Sequence, residues 1–216
     1  MYSREEWDDI YKVHMNDAPW MSKICAEGHI AFLDKFLLDV KGKRLLDYGC
    51  GNGLIAYHYF LRGAIVELAD ISDSLVEWLK KKYEKDGIKV FQAATPQDID
   101  DDNGLYDIII ANSLFHHVQP DLWTSFLKGF AALLNPDGLL LLSGWDETDD
   151  IAKVRVAPYT KRVTWPITNI DENIKNVRHF KIVDEQVHGV GLPGFFDKNK
   201  MFKYYILKKK KNEVLY

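Results

Sequence analysis

The sequence predicts an α/β fold, a parallel sheet with helices packed on both faces. Two observations carry this. Short apolar runs alternate along the chain with segments whose apolar residues recur at helical spacing. The first run, Arg44-Leu45-Leu46, also leads through Asp47 into glycines at every second position, Gly49, Gly51 and Gly53, before helical spacing resumes at Leu54. A glycine loop at a strand-to-helix junction lets the chain reverse sharply and lets a ligand approach the backbone and the helix N-terminus.

Residues 1–15 read as a short helix with Trp7 and Tyr11 on one face, an i,i+4 pair. Pro19-Trp20 follows. Ile24 to Val40 carries Ile30, Leu33, Phe36 and Leu37 at helical spacing and should pack beside the first strand. Lys41-Gly42-Lys43 is its stop. Ala64 to Ala69 is a second strand, ending at Asp70. Ser72 or Asp73 caps a helix over 74–85, with Leu75, Trp78 and Leu79 facing inward. Ile88 to Gln92 is a third strand, and a charged turn over 100–104 precedes a fourth, Tyr106 to Ala111, apolar enough to be central in a parallel sheet. Pro120 starts a helix over 121–134, with Leu122, Phe126, Phe130 and Leu133 inward. Asn135-Pro136-Asp137-Gly138 reads as a turn and Leu139 to Ser143 as a fifth buried strand. From Thr148 the pattern weakens, and 153–166 shows no clear period. Phe180 to Val187 and Met201 to Leu207 read as the last two strands.

Composition narrows the function. With 216 residues the chain suits one domain with a substantial core. A formal net charge of −4 gives no electrostatic reason to expect nucleic acid. Cys25 and Cys50 form neither a metal nor a disulfide pattern, so no metal is expected. The N-terminal residues lack the apolar core of a secretion signal, and no run approaches the roughly 20 apolar residues that cross a bilayer. The expectation is a soluble cytoplasmic protein without a membrane partner. Lys208 to Lys211 reads as a solvated basic tail.

The glycine loop carries the functional signal. Its spacing is G-x-G-x-G rather than the G-x-G-x-x-G of dinucleotide sites, and the Gly-Lys-Ser/Thr of a P-loop is absent. A carboxylate at Asp47 repels a pyrophosphate and suits a ligand bearing an ammonium or sulfonium. Leu45-Leu46-Asp47-Tyr48-Gly49-Cys50-Gly51-Asn52-Gly53 resembles the first motif of the class I S-adenosylmethionine-dependent methyltransferases. Asn112 to Val118 resembles the fourth motif of their small-molecule branch, and lacks the N-P-P-Y of enzymes that methylate bases. The Leu-x-Pro-x-Gly before the fifth strand matches as well.

That resemblance implies a Rossmann-like three-layer sandwich whose seven strands run in the order 3-2-1-4-5-7-6, strand seven antiparallel. It implies one domain: a helical lid at 1–40, a cofactor core at 41–147, and a variable substrate side with the last two strands at 148–216. The cofactor is S-adenosyl-L-methionine, held by Asp47, Tyr48, Gly49, Gly51, Gly53, Asp70, Ile71, Thr95 and Asn112. Asp70, at the end of strand two, would accept from both ribose hydroxyls, and each bond to a carboxylate is charge-assisted. Ile71 would stack on adenine. Thr95 stands where relatives often have an acid near the adenine amine, with Asp98 as the other acid at hand. Trp7, Tyr11, Trp20 and Trp145 are expected on the lid and substrate side. His117 is the first candidate for a general base, ahead of His116, His188 and Asp146, since histidine suits proton removal near neutral pH. The connection after Val187 is expected to open at the ligand rim. The expected reaction is methyl transfer to a small-molecule O or N. Protein or RNA methylation, and a non-catalytic cofactor-binding role, remain open at this point.

Overall fold

Strand β1 (Arg44–Tyr48) lies at the heart of a seven-stranded sheet in this computed structural model. The structure describes residues 3–15, 18–100, 104–146, 155–156, 163–167, 170–188 and 201–211. Around β1 run β2 (Ile65–Asp70), β3 (Lys89–Gln92), β4 (Tyr106–Ala111) and β5 (Leu134–Asp146), all parallel. A two-stranded ribbon, β6 (Arg155–Val156) with β7 (Val163–Thr164), stands apart. β8 (Phe180–His188) and β9 (Met201–Lys209) complete the main sheet in the order β3-β2-β1-β4-β5-β9-β8. With the ribbon left out of the numbering, this is the expected 3-2-1-4-5-7-6. β9 is antiparallel to both neighbours.

Alternation along the strands feeds two cores. Leu46, Tyr48, Ile109, Leu140, Leu142 and Leu207 point to one face. There they meet α5 (Trp123–Leu133) and α6 (Ile170–Val177) through Phe126, Phe130 and Ile174. Leu45, Ile108, Ile110, Leu141, Tyr204 and Ile206 point to the other. That face is covered by α2 (Lys23–Leu33), α3 (Leu54–Leu61) and α4 (Asp73–Tyr83), with α1 (Arg4–His14) packed outside α4. Burial of these large side chains, roughly 1.5–3 kcal/mol each, supplies the driving force of the fold.

Four local expectations change. α2 ends at Leu33 rather than running to Val40. Its apolar spacing outlives it because Phe36 and Leu37 fold back in a tight turn, their N–H groups donating to Leu33 O at 2.9 and 3.0 Å. Its buried stripe is Cys25, Ala26, His29, Phe32 and Leu33, so it is rotated from the face first read. The Asn135–Gly138 turn lies inside β5 as a bulge against β4, with Asp137 at φ +66°. α6 was not expected, although Ile170, Ile174 and Val177 recur at helical spacing. Residues 101–103 of the charged turn, 147–154, 157–162 and the 189–200 connection lie outside the described residues.

Candidate active site

The carboxyl ends of β1, β2, β4 and β5 form the upper rim of the sheet, where ligands bind in open α/β folds. At the end of β1 the chain turns through Gly49 (φ +70°), Gly51 (φ +53°) and Gly53 (φ +72°), all in the left-handed region. Gly53 is also crowded. A Cβ there would stand 2.9 Å from Tyr83 Cε2 and 3.1 Å from Leu68 Cδ1. The loop is tied to β2 by Gly49 N–H and Cys50 N–H, which both donate to Ala69 O, at 2.8 and 3.2 Å. Asn52 accepts from Leu54 N–H at 3.2 Å and donates to Met21 O, joining the loop to the chain ahead of α2.

Two buried carboxylates flank this loop. Asp47 is 2% exposed, and its Oδ2 has no hydrogen-bond partner. Burial, reinforced by Asp70, pushes its pKa up to about 7, against the pull of a bond from Ala56 N–H. Asp70 is 5% exposed and accepts from Ser72 N–H at 3.2 Å and Gly51 N–H at 3.4 Å. Burial still pushes its pKa up to about 6. Neither carboxylate faces a basic side chain in the contacts that shift it. Among the described residues the pair is a buried acidic cluster without positive charge: Asp70 takes backbone donors, and Asp47 keeps one oxygen without a partner.

Ile71 follows Asp70, half-buried, its carbonyl accepting from Gln92 Nε2 at 3.2 Å. Thr95 sits in the turn after β3. There Asp98 is engaged locally, accepting from Thr95 N–H at 2.6 Å and Ala94 N–H at 3.0 Å. The Tyr48 side chain packs edge-on to Phe130 at 5.2 Å and Phe126 at 6.2 Å, and its hydroxyl donates to Ala93 O at 3.5 Å, just past the end of β3. Burial, with the charges of Asp70 and Asp98 nearby, raises its pKa.

The end of β4 is knitted to β5. Ser143 Oγ donates to Asn112 Oδ1 at 2.8 Å and accepts from Ser113 N–H at 2.9 Å, which holds Ser113 at φ +55°. The chain then turns through His116 and His117. His117 meets the edge of Trp7 at 5.1 Å between ring centroids, and Trp7 stacks on Tyr11 at 5.7 Å. α1 thus lies across the rim. Tyr11 is 5% exposed, close enough to Asp70 for that charge to raise its pKa after burial, and bonded to Trp20. Trp7, Tyr11, Trp20 and His117 come together in one aromatic group.

His116 belongs to a neighbouring cluster of packed rings. It is 3% exposed and packs against Trp145 at 5.1 Å, which in turn meets Phe202 at 4.7 Å. Its Nδ1 has no hydrogen-bond partner. His29 was missed by the sequence reading. It sits on the buried stripe of α2, pairing with Tyr204 Oη at 2.5 Å and Ser113 Oγ at 3.4 Å. Its signal was a lone imidazole on an otherwise apolar face. Burial holds His29 and His117 neutral, with pKa values lowered to about 3, and it likewise pushes His116 well down. His188 lies behind Tyr204, 6.3 Å away, and Asp146 is half-buried beside the Lys203 charge. Glu147 lies outside the described residues. Among the described residues, no cluster of His, Cys, Asp or Glu could hold a metal ion, and no helix is long and apolar enough to cross a membrane.

A family model described as a methyltransferase domain matches residues 20–187. The chain belongs to the methyltransferase-domain family. Among curated proteins this domain is similar to the ubiquinone biosynthesis O-methyltransferase of Coxiella burnetii, 36% identical over 107 residues, covering 49% of this chain and 45% of that protein. The Rickettsia prowazekii protein of the same name is 31% identical over 111 residues, covering 51% and 43%. The chain therefore spans about half the length of the curated relatives it matches. Among solved structures, the methyltransferase domain superimposes on the Burkholderia thailandensis 1,6-didemethyltoxoflavin-N1-methyltransferase, with TM-score 0.72 and 21% identity over 98% of this chain and 92% of that one. It is also similar to the cyclase SpnF, with TM-score 0.68 and 13% identity over 84% of this chain and 80% of that one. These likenesses establish the class I methyltransferase fold. The cyclase is a reminder that the fold alone does not name the reaction.

Proposed function

We propose that this protein is an S-adenosylmethionine-dependent methyltransferase acting on the hydroxyl of a small, planar, uncharged molecule. The observation that carries the cofactor is the buried pair Asp47 and Asp70, with an orphaned oxygen on Asp47. Such a recess fits a ligand that brings positive charge and hydroxyl donors together, as an adenosyl amino acid sulfonium does. It does not fit a pyrophosphate, which adds negative charge where two carboxylates already repel. Asp70 would take the ribose hydroxyls and the Gly49–Gly53 backbone the amino-acid end. Ile71 would lie under adenine, with Thr95 and Asn112 at its edge. Structural neighbours include the toxoflavin-pathway enzyme, solved with S-adenosylhomocysteine.

When bound, the sulfonium supplies the electrophilic methyl group. The chain's own residues align and enclose. Alignment of donor and acceptor is worth roughly 7–11 kcal/mol of barrier in favourable cases. Trp7 and Tyr11 cover the rim and exclude water. We assign to His117 the proton of the acceptor hydroxyl: burial keeps its imidazole neutral and so able to accept, while the same burial weakens it as a base until substrate is bound. The substrate class is read from the rings beside it. Trp145, Phe202 and His116 pack ring against ring, and the His116 Nδ1 lacks a hydrogen-bond partner, a surrounding that suits a planar acceptor with a polar edge. The curated relatives, named as O-methyltransferases, support oxygen as the acceptor atom.

Calorimetry with S-adenosylhomocysteine tests the reading. The wild-type protein binds it, and Asp70→Ala weakens binding by about 100-fold or more, since hydrogen bonds to a charged group are worth ~1.5–3 kcal/mol each. Tight binding of a dinucleotide in its place, or unchanged affinity in the variant, removes the assignment. A screen of phenols and enols with labelled methyl donor then identifies the acceptor.

A further inference from the structure

Helix α1 is fastened to the core by a contact that no sequence motif announces. Asp8 Oδ1 accepts three hydrogen bonds from the first turn of α4: Ser74 N–H at 3.0 Å, Ser74 Oγ at 3.0 Å and Ser72 Oγ at 2.5 Å. Arg4 pairs with Asp73 in the same turn. A carboxylate at a helix N-terminus meets unsatisfied N–H groups and a favourable dipole. Asp8 thus caps α4 from another helix, alongside α4's own cap, Ser72, whose Oγ accepts from Leu75 N–H at 3.2 Å.

The same serine faces the recess. Ser72 N–H donates to Asp70 Oδ1 at 3.2 Å, and Gly51 N–H approaches the other oxygen at 3.4 Å. A continuous chain of hydrogen bonds runs from α1 through Asp8 and Ser72 to Asp70 and the glycine loop. On α1, Trp7 and Tyr11 flank Asp8 in position and cover His117 and the neighbourhood of Asp70. Lifting α1 therefore breaks the cap on α4 and loosens the group beside Asp70 in one movement.

We propose that Asp8 is a positioning residue: it clasps α1 to the first turn of α4 and so sets how long the bound cofactor stays. This rests on the functional reading above. It places the barrier to cofactor release in the Asp8–Ser74 contact, not in the contacts to the cofactor alone. Association is governed by encounter with the recess, so the effect falls on the dissociation rate.

Stopped-flow tryptophan fluorescence with S-adenosylhomocysteine on the full chain separates the two rates. Asp8→Ala is expected to raise the dissociation rate by about tenfold or more and to change the association rate by less than about threefold. Ser74→Ala is expected to act in the same direction while leaving the Ser72 cap in place. The double variant is expected to release no faster than Asp8→Ala alone, because the Ser74 Oγ bond is one of the three that Asp8→Ala already removes. Val13→Ala, at a side chain 72% exposed on the same helix, is expected to leave both rates unchanged. A natively folded Asp8→Ala with the wild-type dissociation rate overturns the proposal, and so do strictly additive effects. A merely structural role predicts a lower melting temperature with the two rates shifted alike. If Asp8→Ala folds poorly, Asp8→Asn keeps the shape and removes the charge, and the same criteria apply. If the wild-type protein does not bind S-adenosylhomocysteine, the functional reading falls by itself. Hydrogen exchange at Ser74 N–H then decides the clasp: faster exchange in Asp8→Ala upholds it as a helix latch, and equal exchange removes it.

Discussion

Asp47 and Asp70 are held where their ordinary chemistry is opposed. Each is an acid whose pKa in the fold is raised, to about 7 and about 6, by burial without a cation. The ionised form is therefore disfavoured in the fold, and the penalty grows as pH rises from the unfolded value to the folded one and then levels off. Asp47→Asn should raise the melting temperature of the ligand-free protein at pH 8, by a few degrees, and leave it unchanged near pH 4. Thermal melts across that range check both ends. The same variant should bind S-adenosylhomocysteine more weakly, so stability and binding move in opposite directions. Histidine at 117 poses a separate question. His117→Ala should lower turnover by about 10²–10³ while leaving cofactor affinity nearly intact, the share expected of a general base. Single-turnover rates beside calorimetry distinguish that from a loss of folding. At this scale the sequence was informative where chemistry follows position: Asp47 and Asp70 end strands, and the glycines stand between strand and helix. It was silent on His29, because a buried imidazole on a helical stripe becomes meaningful only when Tyr204 and Ser113, far away in the chain, arrive beside it. It was equally silent on which way Tyr48 points.

Elements explain why the loop tolerates so little change. Gly53 and Gly87 share nearly the same backbone, φ +72° and φ +82°, but differ in surroundings. Nothing lies within 4 Å of a Cβ built at Gly87, whereas Tyr83 and Leu68 crowd Gly53. Gly87→Ala should cost about 1–2 kcal/mol, the backbone strain alone. Gly53→Ala should add about 1–3 kcal/mol of overpacking. Chemical denaturation of the two variants, compared directly, measures the difference. The strands were readable because apolar runs bounded by turn residues leave few choices. Two elements misled for physical reasons. The spacing of α2 continues past its end because a tight turn keeps Leu37 on the buried side. Asn135–Gly138 has the composition of a turn, and it makes one, but the ladder to β4 closes around it at Leu134 and Leu139. α6 escaped because its eight residues follow a stretch without period.

Across the molecule the buried charges set a pH dependence with two opposing parts. His29 and His117, with folded pKa values of about 3, and His116, also pushed well down by burial, bind protons more readily when unfolded. They draw stability down as pH falls below about 6.5. Asp47 and Asp70 act the other way between their unfolded values and about 6–7. A ligand that favours both ionised carboxylates cancels the second part. Saturating S-adenosylhomocysteine should therefore move the pH of greatest stability upward, and its affinity should fall as pH drops through 7 toward 5. Calorimetric scans with and without it, over pH 5 to 9, check the shift. The sheet order was legible through the family resemblance rather than through periodicity, since no local pattern says that β9 enters between β5 and β8. That insertion has a bearing on synthesis. Translation delivers β8 before the strand that joins it to β5, so a nascent chain carries a gap in the middle of its sheet until residues 201–209 emerge. Premature stops upstream of Met201 should then expose two further strand edges, those of β5 and β8 that β9 covers, and yield aggregates rather than a trimmed but usable protein.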